Sequence, residues 1–142
     1  MTTNLKLNTK FFFTGEELSE TELTQLLDLA IELKKNPIQS TLKNKTIAIV
    51  FEKPSLRTRV SFSVGIQQLG GQVIEITSAQ RKKEEPQDTI RVLQGYVDGV
   101  MLRTHEHEIL ETMAEYSKIP IINGLSDLHH PCQILADLQT LQ

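Results

Sequence analysis

The sequence predicts an α/β domain of the three-layer type, with a four-stranded parallel sheet flanked by helices. Short β-rich apolar runs alternate with longer segments of helical periodicity along the chain. A length of 142 residues suits one domain with its own core, and no repeat, low-complexity tract or linker divides it. Strands that alternate with helices favour a parallel sheet with right-handed crossovers. We therefore expect residues 1–142 to form one domain.

The first predicted helix covers residues 19–35. Ser19 and Glu22 form an S-x-x-E capping box at its start, and leucines follow at helical spacing. Lys34 and Lys35 stand at its end, where positive charge complements the helix dipole.

Four strands and four more helices are predicted after it. The strands are the β-rich runs at residues 45–51, 73–76, 100–102 and 120–123. The first of these helices carries Phe62, Ile66 and Leu69 on one face and ends at Gly70. The second is capped by Asp88, and the third covers residues 105–117. The fourth begins at Pro131.

Composition excludes several classes of partner. The formal net charge of −3 lacks the basic field that generic nucleic-acid binding requires. No apolar run approaches the length of a membrane span, and the N-terminal segment has no signal-peptide pattern. Cys132 is the only cysteine, so an internal disulfide is impossible, which fits a reducing, cytoplasmic environment. We expect no nucleic-acid partner and no membrane partner.

Ligands of parallel α/β sheets lie beyond the carboxyl ends of the strands. After the first strand, Ser55, Arg57 and Thr58 cluster where a helix begins. Helix N–H groups, hydroxyls and guanidiniums together suit a phosphate. The alternative, given equal weight, is that Ser55 merely caps the helix while the arginines are solvated.

Two further strand ends carry polar residues. Arg103 follows the third strand and would be a second contact for an anion. His130 stands at the mouth of the last helix and Gln133 in its first turn, where they could polarise a carbonyl and hold a planar amide. The alternatives are a capping role for His130 and a solvated Gln133.

Zinc binding and thiol catalysis are not expected. His129, His130 and Cys132, with His105 and His107, superficially suggest a zinc site. However, the chain lacks a Cys-x-x-Cys pair, and adjacent histidines rarely ligate one ion. A small buried thiol is commoner than a nucleophile at a position such as that of Cys132.

Three motifs together resemble the aspartate/ornithine carbamoyltransferase family. Residues 55–59, S-L-R-T-R, are similar to its phosphate-binding signature S-T-R-T-R, with Leu56 in place of the commoner threonine. Residues 130–140, H-P-C-Q-I-L-A-D-L-Q-T, look like its second signature, and D-T-I-R-V-L at 88–93 matches the stretch between them. The resemblance runs from about residue 10 to the end. The H-P-C-Q form, preceded by N-G-L at 123–125, favours the ornithine branch over the aspartate branch, which more often reads H-P-T-Q.

The resemblance implies a role for each candidate residue. The phosphate of carbamoyl phosphate would be held by Ser55, Arg57, Thr58 and the backbone N–H of Leu56. The catalytic residues would be Arg103, which contacts phosphate and carbonyl oxygen, and His130, which contacts the carbonyl oxygen. Gln133 would bind the carbamoyl amine, and Gln80 would reach a neighbouring subunit's site. No metal, cofactor or covalent intermediate is implied.

The resemblance also implies the function. The chain would bind carbamoyl phosphate for transfer to the side-chain amine of ornithine, giving citrulline and phosphate in arginine metabolism. A second, amino-acid-binding domain is absent from residues 1–142, so we expect this domain to be inactive alone and the full-length protein to be a homotrimer or a multiple of one. Alternatives are aspartate or putrescine as acceptor, a non-catalytic anion-binding domain, and a receiver-like module, which the basic and polar strand ends disfavour.

Overall fold

The structure, a computed structural model, describes residues 5–77 and 84–141. Strands and helices alternate along these residues, which confirms the predicted α/β class. The elements are β1 (Phe11–Phe12), α1 (Glu20–Lys35), β2 (Thr46–Phe51), α2 (Leu56–Gln68), β3 (Gln72–Thr77), α3 (Pro86–Leu93), β4 (Gly99–Arg103), α4 (His107–Tyr116), β5 (Ile121–Leu125) and α5 (Pro131–Thr140).

The sheet has five parallel strands in the order β1-β5-β4-β2-β3. All four predicted strands are present, but the predicted count of four is one too low. The additional strand, β1, has only two residues and pairs with Ile121 and Ile122 of β5. Two residues are too few to show an alternating pattern, so this strand is defined by its pairing and not by its own sequence.

Helices cover both faces of the sheet. On one face, residues such as Ala48 and Leu102 pack with Ile90 of α3 and Leu110 of α4 in the larger core cluster. On the other face, Ile49, Phe51 and Met101 pack with Ile66 of α2. Successive residues of β2 therefore serve opposite cores, as the pleat of a doubly covered strand requires. Helix α1 contacts α5 beside these layers.

The capping box that predicted α1 is formed in full. The backbone N–H of Glu22 donates to Ser19 Oγ at 3.1 Å, and that of Ser19 donates to Glu22 Oε1 at 3.0 Å. Helix α2 ends as predicted before Gly70, whose φ of +88° lies in the left-handed region that favours glycine.

Two predicted helix starts were wrong. Helix α3 begins at Pro86 after Glu85, so Asp88 lies inside the first turn and is not the cap; the fixed φ of proline suits the first helical position. Helix α4 begins at His107 and not at residue 105, and Asp127 Oδ1 accepts the His107 backbone N–H at 2.9 Å, which satisfies one donor of the first helical turn. No helix among the described residues has both the length and the apolar character needed to cross a bilayer.

Candidate active site

The carboxyl ends of four strands lie in one row. Phe51 is in register with Thr77 on one side and with Arg103 on the other, and Arg103 is in register with Leu125. The segments that follow these strand ends carry Ser55 and His130. The parallel register therefore brings the three predicted strand-end sites to a single edge of the sheet.

The N-terminus of α2 forms one side of this edge. Ser55 is the N-cap residue, and its Oγ accepts the backbone N–H of Thr58 at 3.2 Å, so the capping alternative is realised. Capping leaves the hydroxyl proton available for a ligand oxygen. The N–H groups of Leu56 and Arg57 belong to the first helical turn, which has no intrahelical acceptors for them. The side chains of Leu56 and Arg57 are exposed.

Arg103 connects β4 to that helix terminus. Its Nη1 donates to Thr58 Oγ1 at 2.8 Å, across 45 positions of sequence. Thr58 is buried, with 8% of its surface exposed, so the bond holds the guanidinium against the first turn of α2. Burial lowers the pKa of Arg103 from its usual value, and the guanidinium nevertheless stays charged at neutral pH.

His130 occupies the N-cap position of α5, but its side chain makes no capping hydrogen bond. Burial lowers the pKa of the imidazole, the positive charge of Arg103 lowers it further, and Asp137 acts in the opposite direction. A pKa below 6.5 means that the imidazole is mainly neutral at pH 7. A neutral ring donates from one nitrogen and accepts at the other.

Two buried nitrogen atoms at this edge have no hydrogen-bond partner among the described residues: Arg103 Nε and His130 Nδ1. Leaving a buried polar atom unsatisfied costs about 1–3 kcal/mol, so such atoms are rare in native structures. Both come from residues predicted to contact one ligand. Their chemistry fits a ligand that presents oxygen or nitrogen atoms between β4 and α5.

The remaining predicted contacts are less well defined. Gln133 is exposed, and its Nε2 donates to Asp137 Oδ1 at 3.0 Å along α5 and not to Arg103 or His130. Gln80, the predicted contact with a neighbouring subunit, lies outside the described residues.

Sequence reasoning missed a polar framework beneath the site. Thr104, which is fully buried, donates from Oγ1 to Glu52 Oε2 at 2.7 Å and so joins the ends of β4 and β2. Asn123, also fully buried, donates to the carbonyl of Phe13 at 2.8 Å. An asparagine inside an apolar strand was the available signal, because buried amides require partners.

Cys132 has the properties of a structural thiol. Burial raises its pKa to about 11, so the thiol is protonated at neutral pH and is a poor nucleophile. Its Sγ lies 3.7 Å from the carbonyl oxygen of Asn123. His107 uses Nδ1 to contact Ser126 Oγ at 2.6 Å. In the part of the chain that the structure describes, no group of three or more His, Cys, Asp or Glu side chains could hold a metal ion.

Comparisons with known proteins identify the family of the chain. The family model described as "Aspartate/ornithine carbamoyltransferase, carbamoyl-P binding domain" matches residues 10–142. An ornithine carbamoyltransferase of Hydrogenovibrio crunogenus is 48% identical over 141 residues, which cover 94% of this chain and 47% of the relative. The chain thus spans about half the length of the curated relatives it matches.

Solved structures give the same result. The crystal structure of the anabolic ornithine carbamoyltransferase from Campylobacter jejuni has a TM-score of 0.88 at 44% identity, covering 94% of this chain and 44% of that one. A variant of N-acetyl-L-ornithine transcarbamylase, solved with carbamyl phosphate and N-succinyl-L-norvaline, has a TM-score of 0.88 at 33% identity and covers 97% and 48%. The chain belongs to the aspartate/ornithine carbamoyltransferase family and matches its carbamoyl phosphate-binding domain.

Proposed function

We propose that residues 1–142 are the carbamoyl phosphate-binding domain of an ornithine carbamoyltransferase, which carbamoylates the side-chain amine of ornithine and releases citrulline and phosphate. The observation that carries the proposal is the pair of unpartnered buried nitrogens, Arg103 Nε and His130 Nδ1, beside the N-terminus of α2. The names of the curated relatives support ornithine as the acceptor. The structural neighbour solved with carbamyl phosphate supports the donor.

The phosphate would lie at the first turn of α2. This turn offers backbone N–H groups at Leu56 and Arg57, the Ser55 hydroxyl and the positive end of the helix dipole. The exposed Arg57 guanidinium can form two parallel bonds to phosphate oxygens. Thr58 would support the phosphate site through Arg103, because its hydroxyl already accepts a hydrogen bond from that guanidinium.

The carbamoyl group would lie between Arg103 and His130. When the neutral amine attacks the carbamoyl carbon, negative charge develops on the carbonyl oxygen. The bond to the phosphate oxygen then breaks, and the departing phosphate takes up the proton that the amine loses. Arg103 and a neutral, N–H-donating His130 would stabilise this oxyanion, and each such donor typically lowers the barrier by about 2.7–4 kcal/mol. Gln133 would bind the carbamoyl amine after its amide leaves the exposed bond to Asp137.

The acceptor would be held mainly by groups outside these 142 residues. The polar groups gathered at the strand ends suit phosphate and a carbamoyl oxygen. The curated relatives, which are named ornithine carbamoyltransferase, are about twice as long as the chain. We therefore assign donor binding to this domain and ornithine binding to the remainder of a full-length enzyme.

The proposal includes a homotrimer, or a multiple of one, in the cytoplasm. Leu56, Val60 and Val64 form an exposed row at intervals of four on α2, here called the α2 stripe, and are 76%, 50% and 44% exposed. A row of apolar side chains on one helix face is typical of an interface. Gln80, which follows β3 in sequence, would reach a neighbouring site. A single thiol fits the cytoplasm, and the anabolic neighbour supports a role in arginine biosynthesis.

The Arg57→Ala variant tests the donor site, and Arg59→Ala is its matched control. Both arginines are exposed on the first turns of α2, but Arg59 is bonded through Nε to Glu75 at 2.7 Å. We expect calorimetry with fresh carbamoyl phosphate to show binding by the unmodified chain and by Arg59→Ala, and none by Arg57→Ala. Both variants should remain folded, because exposed ion pairs contribute at most about 1 kcal/mol. Unchanged binding by Arg57→Ala would refute the site assignment.

A further inference from the structure

We propose that Asn123, Ser126 and His107 form a positioning network that fixes His130 at the carboxyl edge of the sheet. The three residues contact or belong to the turn of residues 126–129, which leads directly into His130. The inference rests on the proposed function, because it assigns these residues to the orientation of the group that would contact the carbamoyl oxygen.

The Asn123 amide ties the turn to two other segments. Its Nδ2 donates to the carbonyl of Phe13 at 2.8 Å and to that of His129 at 3.2 Å, and its Oδ1 accepts the backbone N–H of Leu125 at 2.9 Å. The residue is fully buried, so its amide depends on these partners and not on solvent. One amide therefore joins the end of β1, the end of β5 and the carbonyl that precedes His130.

Ser126 closes the turn itself. Its backbone N–H donates to the His129 carbonyl at 2.9 Å, and its Oγ accepts the His129 N–H at 3.2 Å. Asn123 Nδ2 also approaches Ser126 Oγ at 3.3 Å. The Ser126 hydroxyl therefore holds the backbone of His129, the residue before His130.

The shortest contact of that hydroxyl is with His107. Ser126 Oγ lies 2.6 Å from His107 Nδ1, compared with 3.3 Å from the His129 carbonyl. The other ring nitrogen of His107, Nε2, faces Glu111 Oε1 at 3.9 Å. The His107 ring also packs edge-on against His129, with centroids 5.1 Å apart. Helix α4 is thereby attached to the turn.

The backbone attachment matters for His130 because its side chain neither caps α5 nor bonds through Nδ1 within the described residues. The backbone fixes the point from which the imidazole extends, and it lies between the His129 carbonyl and the first turn of α5. In that turn, the Ile134 N–H donates to the His130 carbonyl at 3.3 Å.

The Ser126→Ala variant tests the network, with Ser126→Thr as a rescue that keeps the hydroxyl. Ser117→Ala is the matched control: Ser117 is equally buried, holds a turn through Ile119 at 2.8 Å, and precedes β5 at the opposite edge of the sheet. Two probes would be titrated into each full chain. Phosphonoacetamide carries a phosphonate and a carbonyl, whereas inorganic phosphate lacks the carbonyl.

We expect Ser126→Ala to bind phosphonoacetamide roughly tenfold more weakly while its phosphate affinity is unchanged, because the hydrogen bonds of the hydroxyl to His129 and His107, which hold the turn before His130, are lost. Ser126→Thr should restore the affinity, and Ser117→Ala should leave both affinities unaltered. Equal loss of both probes, or no loss of either, would overturn the inference, since a merely structural role cannot discriminate between them.

A spectroscopic measurement separates this inference from the proposed function. Ser126→Ala should move the nitrogen-15 imidazole shifts of both His107 and His130. If the unmodified chain binds neither probe, the proposed function fails, and the histidine shifts alone decide whether the network positions His130. Unmoved His130 shifts would refute the inference.

Discussion

Arg103 joins the two parts of the candidate site at the scale of single residues. One nitrogen of its guanidinium is bonded to Thr58, at the start of α2. Its charge acts on His130, at the start of α5, whose pKa it lowers in addition to the effect of burial. A substitution at Arg103 should therefore affect both the phosphate contacts and the protonation of the imidazole.

The titration of His130 gives a first prediction at this scale. Its pKa is lowered in the folded chain, so its midpoint in an NMR titration should lie below 6.5. Below pH 6.5 the unfolded chain takes up a proton at His130 before the folded chain does. The contribution of neutral His130 to the free energy of unfolding is therefore fully present above pH 6.5. It is lost as the pH falls from 6.5 through the pKa of the folded chain.

The matched variant for this titration is Arg103→Gln, which removes the charge and keeps a polar side chain. We expect it to raise the pKa of His130 only in part, since burial is the larger cause of the shift and persists. A midpoint at or above 6.5 in the unmodified chain would contradict the burial of His130.

Single residues show how far the sequence leads. The rule for strand ends and the family resemblance identified Ser55, Arg103 and His130 as site candidates, and the register brings their segments to one edge. The bond between Arg103 and Thr58 could not be predicted, because it depends on the distance between a strand end and a helix start 45 positions away. The network of Asn123 was missed for the same reason.

At the scale of elements, β5 is constrained by a close approach to β4. A Cβ atom on Gly124 would overlap the Sδ of Met101, whose side chain is fully buried and has little room to move. The pairing of β4 with β5 also shifts register between Leu102 and Arg103. The strand that leads to His130 therefore favours glycine at position 124.

Two glycine substitutions should have opposite effects on stability. Gly124→Ala should lower the free energy of unfolding by about 1–3 kcal/mol, because the added methyl group overpacks a buried contact. Gly65→Ala should raise it by about 0.5–1 kcal/mol, because the position lies inside α2 and a Cβ there meets no atom within 4 Å. Urea denaturation followed by circular dichroism measures both values, and a neutral Gly124→Ala would disprove the close approach.

Elements with strong local signals were predicted well. The capping box of α1 and the four β-rich runs required only neighbouring residues for their identification. Strand β1 failed because its state depends on pairing with a segment more than 100 positions away. The predicted start of α3 was wrong because the sequence offers two start signals, a cap at Asp88 and a proline at position 86, and the helix begins at Pro86.

At the scale of the whole molecule, the α2 stripe should govern self-association. Val64→Glu places a charge in the stripe, away from the first turn that would bind phosphate, and should shift sedimentation towards the monomer over a concentration series. Val92→Glu is the control, because Val92 is also exposed, at 58%, but lies on α3. Equal sedimentation of the two variants, or a monomeric unmodified chain at every concentration, would contradict the proposed trimer.

The oligomeric state illustrates what sequence patterns leave open. The spacing of Leu56, Val60 and Val64 is visible in the sequence, but the same spacing is typical of a helix face buried in its own core. Only the folded chain shows that this face is exposed and that Ile66 serves the core instead.

The strand order has a thermodynamic consequence. Because β4 lies between β2 and β5, the segments that carry Ser55 and His130 meet only when both pairings of β4 exist. A ligand that bridges these residues binds the native state alone and stabilises it by RT ln(1 + [L]/Kd), about 2.7 kcal/mol at a hundredfold excess over Kd. The melting temperature of the chain thereby becomes a reporter of ligand identity, and a thermal-shift screen can rank carbamoyl and phosphoryl compounds without measuring turnover.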